Sequence, residues 1–194
     1  MIAALNALKE IWKNTPLNWV GLDPCGNSWE GIRCTNSRVT SMILISCGFS
    51  GPIPETIGSL QQLSILSLSS NSFSEPIPPS MGNLFNLYWL DLTGNKLSGT
   101  IPISNGSTPG LDKLVKAKHL VFNNNELSGK IPSTLGLLQT WRYLKFLSNN
   151  QLTGPLPNFT GLNSLYYVDL SNNTFDKSDF SLWVETLQYL ETLF

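Results

Sequence analysis

Charged residues are scarce in this chain of 194 residues, at 13% of the total, and the two signs nearly cancel. The 12 Lys and Arg residues face 13 Asp and Glu residues, for a net charge of -1. Such a balance provides no positive surface for nucleic acid or for an anionic membrane. Histidine occurs once, as His119. The motifs of zinc proteases, P-loops, dinucleotide-binding folds and serine hydrolases are absent. We therefore expect no catalytic residue, no metal and no cofactor.

Long apolar runs are also missing. The longest apolar cluster, Met42–Ile45, has the length of a strand, whereas a membrane-spanning helix needs about 20 apolar residues. The first residues are typical of an amphipathic helix with Leu5, Leu8 and Trp12 on one face. They lack the basic start, apolar run and cleavage site of a signal peptide. Either the protein is not exported, or its leader precedes this sequence.

One motif of the form LxLxxNxL recurs along the chain. Its anchors stand 24, 30, 25 and 23 residues apart, at Asn71, Asn95, Asn125, Asn150 and Asn173. Cys47 lies 24 residues before Asn71 in the same apolar frame. Six residues after each of the first five of these six positions, an Ile-Pro or Leu-Pro pair follows. This double periodicity predicts six stacked coils.

The pattern has a physical explanation. Leu66 and Leu68 would point inward from a short strand, because side chains alternate along a strand. A buried polar group without a partner costs about 1–3 kcal/mol, so the recurring Asn is predicted to bond turn backbone inside the stack. Cys47 would be a weaker substitute, as a buried structural thiol. The Gly- and Pro-rich second half of each repeat predicts an extended or 3₁₀-like return path. An extra residue before Asn150 predicts a bulge near Lys145.

These motifs resemble the plant-type leucine-rich repeat, whose second half reads SGxIP, as at Ser50–Pro54, Ser98–Pro102 and Ser128–Pro132. The resemblance implies an α/β solenoid. Parallel β-strands would line the concave face, irregular or 3₁₀ segments the convex face, and a helix would cap the N-terminus. The insertion Pro102–Leu114 resembles one in a subfamily of plant receptor-like kinases that includes a hydrogen-peroxide sensing member. Those proteins have an export signal, a transmembrane helix and an intracellular Ser/Thr kinase domain.

The segment around Trp19, Cys25, Trp29 and Cys34 resembles the N-terminal cap of plant receptor ectodomains. The resemblance implies a Cys25–Cys34 disulfide and an oxidising compartment; two reduced, buried thiols are the alternative. We expect a capping region at residues 1–38, six repeats at 39–176 and the start of an incomplete repeat at 177–194, with no C-terminal cap.

Binding would use the side chains that point outward from the strands. One predicted column is Ser41, Ile65, Trp89, His119, Leu144 and Tyr167, and the next is Ile43, Ser67, Asp91, Val121, Phe146 and Asp169. Exposed aromatic residues in a row are typical of protein or peptide recognition, although some could be covered by their neighbours. The candidate partner-binding residues are Trp89, Asp91, His119, Val121, Phe146, Tyr167 and Asp169.

Three sequons predict N-glycosylation, at Asn105, Asn158 and Asn172. Asn105, in the insertion, is the leading candidate. Asn172 adjoins the predicted ladder, which makes its occupancy less certain.

The predicted function is recognition by the extracellular part of a plant leucine-rich repeat receptor-like kinase, at the plasma membrane or, for a short form, in the apoplast. The partner would be a protein or peptide ligand, a co-receptor ectodomain, or both, and not nucleic acid. One alternative is a secreted defence inhibitor of the polygalacturonase-inhibiting type. A carbohydrate-active enzyme is the other, but Asp91 and Asp169 would lie about 15 Å apart, too far for paired carboxylate chemistry.

Overall fold

The computed structural model describes residues 2–138, 143–144, 147–160, 162, 164–177 and 181–193. Helix α1 spans Ile2–Ile11 and buries Ala4, Leu5 and Leu8 against the first coil. A short helix α2 spans Ser181–Val184. The predicted N-terminal helix is therefore present, with its apolar face turned into the stack.

Eight strands of the described chain form one sheet along the molecule, in the order β1-β2-β4-β6-β8-β10-β12-β14. The first two are antiparallel and the others are parallel. Their outward surface is called the strand face below. The strands are β1 Ile32–Thr35, β2 Arg38–Ile43, β4 Ile65–Ser67, β6 Trp89–Asp91, β8 His119–Val121, β10 Tyr143–Leu144, β12 Tyr167–Val168 and β14 Thr192–Leu193.

A second sheet follows the asparagine turns, with the order β13-β11-β9-β7-β5-β3 among the described strands. This sheet is not predicted by the repeat pattern, in which the Gly- and Pro-rich second half of each repeat indicates an extended return path. These strands are β3 Ser50–Pro52, β5 Ser72–Pro76, β7 Lys96–Gly99, β9 Glu126–Gly129, β11 Gln151–Gly154 and β13 Thr174–Phe175.

Short 3₁₀ helices form the opposite side of the stack. Three of them begin directly after an extended proline, namely Pro54, Pro78 and Pro132. Proline fixes φ near -65° and donates no backbone hydrogen bond, which suits the residue before a helix. The described 3₁₀ helices are Glu55–Ser59, Pro79–Asn83, Leu111–Lys113 and Ser133–Leu137.

The core is a stack of leucine layers. Leu66, Leu90 and Leu120 occupy matching positions on neighbouring strands, and each is at most 3% exposed. The isoleucines of the Ile-Pro pairs are buried from the other side of each coil, as in Ile77 and Ile101. Each coil therefore covers the apolar side chains of the next. This burial stabilises the stack by about 25 cal/mol for each Å² of apolar surface removed from water.

The repeated asparagines bond to two coils at once. The Asn95 amide Nδ2 donates to Leu68 O at 3.0 Å in the preceding coil and to Leu92 O at 3.0 Å in its own coil. Its Oδ1 accepts the backbone N–H of Phe73 at 2.9 Å. The same pattern of donors and acceptors surrounds Asn71, Asn125, Asn150 and Asn173.

The residue before each ladder position adopts a left-handed backbone. The φ values lie between 53° and 65° at Ser46, Ser70, Gly94, Asn124, Asn149 and Asn172. This conformation carries a steric cost that Gly, and to a lesser degree Asn, reduces. The left-handed backbone therefore explains why Gly or Asn often precedes the ladder Asn in the repeats. This requirement is not part of the sequence prediction.

The cap is held together by aromatic packing and a disulfide. The Trp19 and Trp29 rings stack with centroids 4.9 Å apart, and Trp29 Nε1 donates to Val20 O at 2.9 Å. Cys25 and Cys34 form a disulfide with Cα atoms 5.7 Å apart. The cap is thus held together by a covalent bond, by ring stacking and by a hydrogen bond.

Glu75 has a left-handed backbone at a repeat position that is glycine in the other SGxIP-type segments. Four of the five SGxIP-type segments have Gly at this position with φ above 69°, at Gly51, Gly99, Gly129 and Gly154, whereas the second has Glu75 at φ 68°. A left-handed non-glycine residue costs of order 1–3 kcal/mol, of which the greater chain freedom of Gly in the unfolded state offsets about 0.4–1 kcal/mol. We expect Glu75→Gly to raise the free energy of unfolding by about 0.5–1 kcal/mol in chemical denaturation.

The matched control is Glu75→Ala, which removes the carboxylate but keeps the strained backbone. An equal gain in stability from Glu75→Ala and Glu75→Gly would show that the charge, and not the backbone, is responsible.

Candidate functional site

Strand register defines the first row of the strand face. Ile65 pairs with Trp89, Trp89 with His119, His119 with Tyr143, and Tyr143 with Tyr167. The predicted column contained Leu144 in place of Tyr143. That prediction is wrong, because Leu144 pairs with Val168, whose side chain is fully buried. The extra residue that precedes Asn150 lies after the strand, and Lys145 lies outside the described residues.

Three aromatic rings cluster on the third and fourth coils. The Trp89 and His119 rings are 4.2 Å apart between centroids, and the Tyr88 and His119 rings are 5.6 Å apart. Lys118 Nζ lies 5.2 Å from the Tyr88 ring centroid, within reach of a cation–π contact. Trp89 remains 36% exposed and Tyr88 remains 42% exposed. The members of the cluster therefore contact one another while Tyr88 and Trp89 keep aromatic surface exposed to solvent.

The second row is more polar. The Asp91 carboxylate accepts the Thr93 backbone N–H at Oδ1, 3.0 Å away, and the Ser67 hydroxyl at Oδ2, 3.3 Å away. Val121 follows in register, but its side chain is only 7% exposed. Val121 therefore offers little side-chain surface to a partner, and its contact role stays a prediction. Phe146, the next predicted member, lies outside the described residues.

Tyr167 and Asp169 belong to the sixth coil, and both side chains are half-buried. Asp169 Oδ1 accepts the backbone N–H and the hydroxyl of Ser171, at 3.0 and 2.6 Å. Asp91 and Asp169 are separated by three strand spacings, about 15 Å. Within the described residues, no group of three or more His, Cys, Asp or Glu side chains could hold a metal ion.

An apolar hollow of about 320 Å³ lies on the strand face of the first three coils. Its walls contain four apolar side chains that are at least 36% exposed, Ile43, Ile45, Tyr88 and Trp89. Ile65, Ser67 and Asp91 complete the lining. Ile45 and Tyr88 are not among the contact residues predicted from the sequence. Alternation with buried Met42 and Leu44 could have identified Ile45, whereas Tyr88 precedes its strand and carries no such signal.

The insertion forms an ordered loop beside the third coil. Asp112 accepts the Ser104 backbone N–H at 2.7 Å and also the Ser104 hydroxyl. Partial burial acts to raise the pKa of Asp112, but the Ser104 hydrogen bonds, with a smaller effect of the Lys113 charge, hold that pKa below its ordinary value. The carboxylate is therefore the form that fastens this loop.

All three sequon asparagines are exposed. Asn105 Oδ1 accepts the Thr108 N–H at 3.2 Å, and Asn158 Oδ1 accepts the Thr160 N–H at 2.8 Å. Asn172 differs, because its Nδ2, the atom to which a glycan attaches, donates to Asn149 Oδ1 at 2.7 Å. Glycosylation at the three sites stays a prediction, with Asn172 the site where a glycan would break an existing hydrogen bond.

Cys47 is half-buried, and its thiol donates to Ile45 O at 3.3 Å. Burial, with a smaller contribution from the negative charge of Glu30, raises the pKa of this thiol. Cys47 is the first ladder position, so no earlier repeat supplies the acceptor that Leu68 O provides for Asn95.

The comparisons agree with this geometry. The leucine-rich repeat family model matches residues 62–84, 86–107 and 116–138. An inactive leucine-rich repeat receptor-like serine/threonine-protein kinase of Arabidopsis thaliana is 34% identical over 137 residues, which is 69% of this chain and 16% of that protein. The chain spans only 7% and 16% of the lengths of the first two curated relatives that it matches.

Solved ectodomains superpose over nearly the whole chain. The Arabidopsis thaliana BIR2 ectodomain is 30% identical, with a TM-score of 0.79, over 94% of this chain and 97% of that one. The Arabidopsis receptor kinase HAESA, solved with the peptide hormone IDA and the co-receptor SERK1, is 29% identical, with a TM-score of 0.84, over 99% of this chain and 32% of that one. The chain belongs to the leucine-rich repeat family, and its relatives are plant receptor-like kinases. The predicted solenoid with parallel strands and an N-terminal helix is confirmed.

No helix in the described part of the chain has both the length and the apolar character needed to cross a membrane.

Proposed function

We propose that this chain is a ligand-recognition domain of a plant receptor-like kinase and binds a protein or peptide partner on its strand face. The observation that carries the proposal is the aromatic cluster of Tyr88, Trp89 and His119, which retains exposed ring surface on a sheet of fixed register. Exposed, pre-positioned aromatic residues are the side chains that contribute most to protein interfaces. The complex of HAESA with a peptide hormone and a co-receptor supports this class of partner.

The proposal extends to the parent protein. The relatives are receptor-like kinases, so we infer an intracellular kinase domain in the full-length protein and a location on the outer side of the plasma membrane. We also propose the division into a cap at 1–38, repeats at 39–176 and a further repeat that begins at 177. Strand β14 supports this last step, because it pairs in parallel with β12 as the next coil would. Membership of the subfamily with the peroxide-sensing receptor stays a prediction.

Two substitutions test the strand face. We expect Trp89→Ala and Tyr167→Ala each to reduce recovery of bound partners about tenfold or more, because aromatic interface residues often contribute 2 kcal/mol or more. The chain would be immobilised and exposed to apoplastic fluid, and bound proteins and peptides would be quantified by mass spectrometry.

The control is Leu137→Ala, since Leu137 is 77% exposed on the 3₁₀ helix of the opposite side. Thermal unfolding of each variant would confirm that it is folded. The proposal fails if both aromatic variants recover the same partners in the same amounts as the original chain.

A further inference from the structure

We propose that the apolar hollow on the first three coils binds an extended peptide segment in which a Lys or Arg lies beside a large apolar side chain. The inference rests on the proposed function and specifies its ligand. It depends on two features of the hollow, its exposed apolar walls and the opposite charges of Asp91 and Lys118 near its two sides.

The walls are preformed. Ile65 and Trp89 are adjacent on paired strands, and the His119 ring, 4.2 Å away, holds Trp89 from the far side. The volume of about 320 Å³ lies at the lower end of the range of small-ligand sites, large enough for an apolar side chain but not for a folded domain. Because the exposed Ile43 and Ile45 side chains already contact water, filling the hollow would remove apolar surface from solvent.

Two opposite charges lie at different distances along the hollow. Asp91 lines the hollow at the C-terminal end of strand β6. Lys118 is outside the lining but lies over the ring of Tyr88, the residue before that strand. Tyr88 and Asp91 are three residues apart along the chain, or about 10 Å of extended backbone. A cation on the ligand would be attracted to Asp91 and repelled from Lys118, so the basic side chain has one favoured position.

Asp91 has room for such a contact. An ionised carboxylate offers about four acceptor sites. The Thr93 N–H and the Ser67 hydroxyl occupy two, and the second of these bonds is long, at 3.3 Å. A guanidinium or ammonium donor could therefore bond Asp91 without displacing the Thr93 bond that shapes the turn.

A random peptide library displayed on phage is the probe. We expect selection on the chain to enrich sequences that combine an aromatic or large aliphatic residue with a neighbouring Lys or Arg. A synthetic peptide of the enriched sequence should lose about tenfold in affinity for Asp91→Asn and for Ile45→Ser. Asparagine keeps the Oδ1 acceptor for Thr93, and Ile45 is 49% exposed, so both variants are expected to fold. Asp91→Lys should instead select peptides with Asp or Glu.

The matched control is Leu137→Ser, on the opposite side of the stack, which should bind the peptide with unchanged affinity. Two results would overturn the assignment of the hollow: enriched peptides that lack a basic residue, or a peptide that binds Asp91→Asn and Ile45→Ser as tightly as it binds the original chain. So would a selection that enriches no peptide. In each of these cases the proposed function is judged separately, by whether Trp89→Ala and Tyr167→Ala lower the recovery of apoplastic partners.

Discussion

Asn125→Ala is expected to lower the free energy of unfolding by about 3–5 kcal/mol. The Asn125 Nδ2 donates to Leu92 O and Phe122 O, each at 3.0 Å, and its Oδ1 accepts the Leu97 N–H at 3.0 Å. Asn125 is 8% exposed, so water cannot replace these bonds. Each buried group left without a partner costs about 1–3 kcal/mol. The substitution would leave backbone groups of two neighbouring coils without a hydrogen-bond partner.

Equilibrium unfolding in urea would measure this loss. Cys47→Ala is the matched control, because Cys47 occupies the same repeat position but makes one weak side-chain bond, to Ile45 O. Its expected cost is below about 1 kcal/mol. If Asn125→Ala cost no more than Cys47→Ala, the ladder amides would not be the groups that join the coils.

Trp12→Ala is expected to cost about 3–5 kcal/mol and to detach the cap from the first coil. Trp12 is 3% exposed, and its ring lies 5.0 Å from the Phe73 ring and 5.6 Å from the Phe49 ring between centroids. Its Nε1 also donates to Pro52 O at 2.9 Å. One side chain thus joins α1 to the first two coils through both packing and a hydrogen bond.

Trp12→Phe separates these two contributions, since it keeps an aromatic ring but loses the bond to Pro52. We expect it to cost about 1–2 kcal/mol in the same denaturation experiment. Hydrogen exchange in α1 should accelerate in Trp12→Ala and much less in Trp12→Phe. Unchanged exchange in α1 of the alanine variant would contradict the role of Trp12 as the link between cap and coils.

The stacking of coils could be predicted from sequence because its determinants are periodic. A polar residue that recurs among leucines, as Asn95 does, can be buried only if the backbone satisfies it, and the spacing then defines the coil. The second sheet was not predictable in the same way. Its strands are at most five residues long and mix Ser, Gly and Pro with single apolar residues such as Phe73 and Leu97, so they are too short to show a clear alternation of apolar and polar side chains.

The strand face was predicted in outline and wrong in detail. Register follows from the repeat, so Trp89 and His119 were placed side by side. The exposure of a side chain does not follow from register. Val121 is in an outward position but is buried, because the groups that cover it are its neighbours in the fold. At the fifth coil, counting back from Asn150 by the usual repeat spacing places Leu144 in the first row, whereas the strand register places Tyr143 there. The hollow combines residues from three coils and a position outside the strand, Tyr88, and so appears only in the fold.

Asparagine amides join successive coils and thereby align the outward side chains of the strand face. Hydrogen exchange provides a direct test at four of the backbone amides that donate to ladder Oδ1 atoms, namely Phe73, Leu97, Leu127 and Leu152. The account predicts that all four exchange only through large-scale unfolding of the coils, and that Asn125→Ala accelerates Leu97 first. Exchange of these four amides as fast as that of the exposed loop residue Gly106 would contradict it.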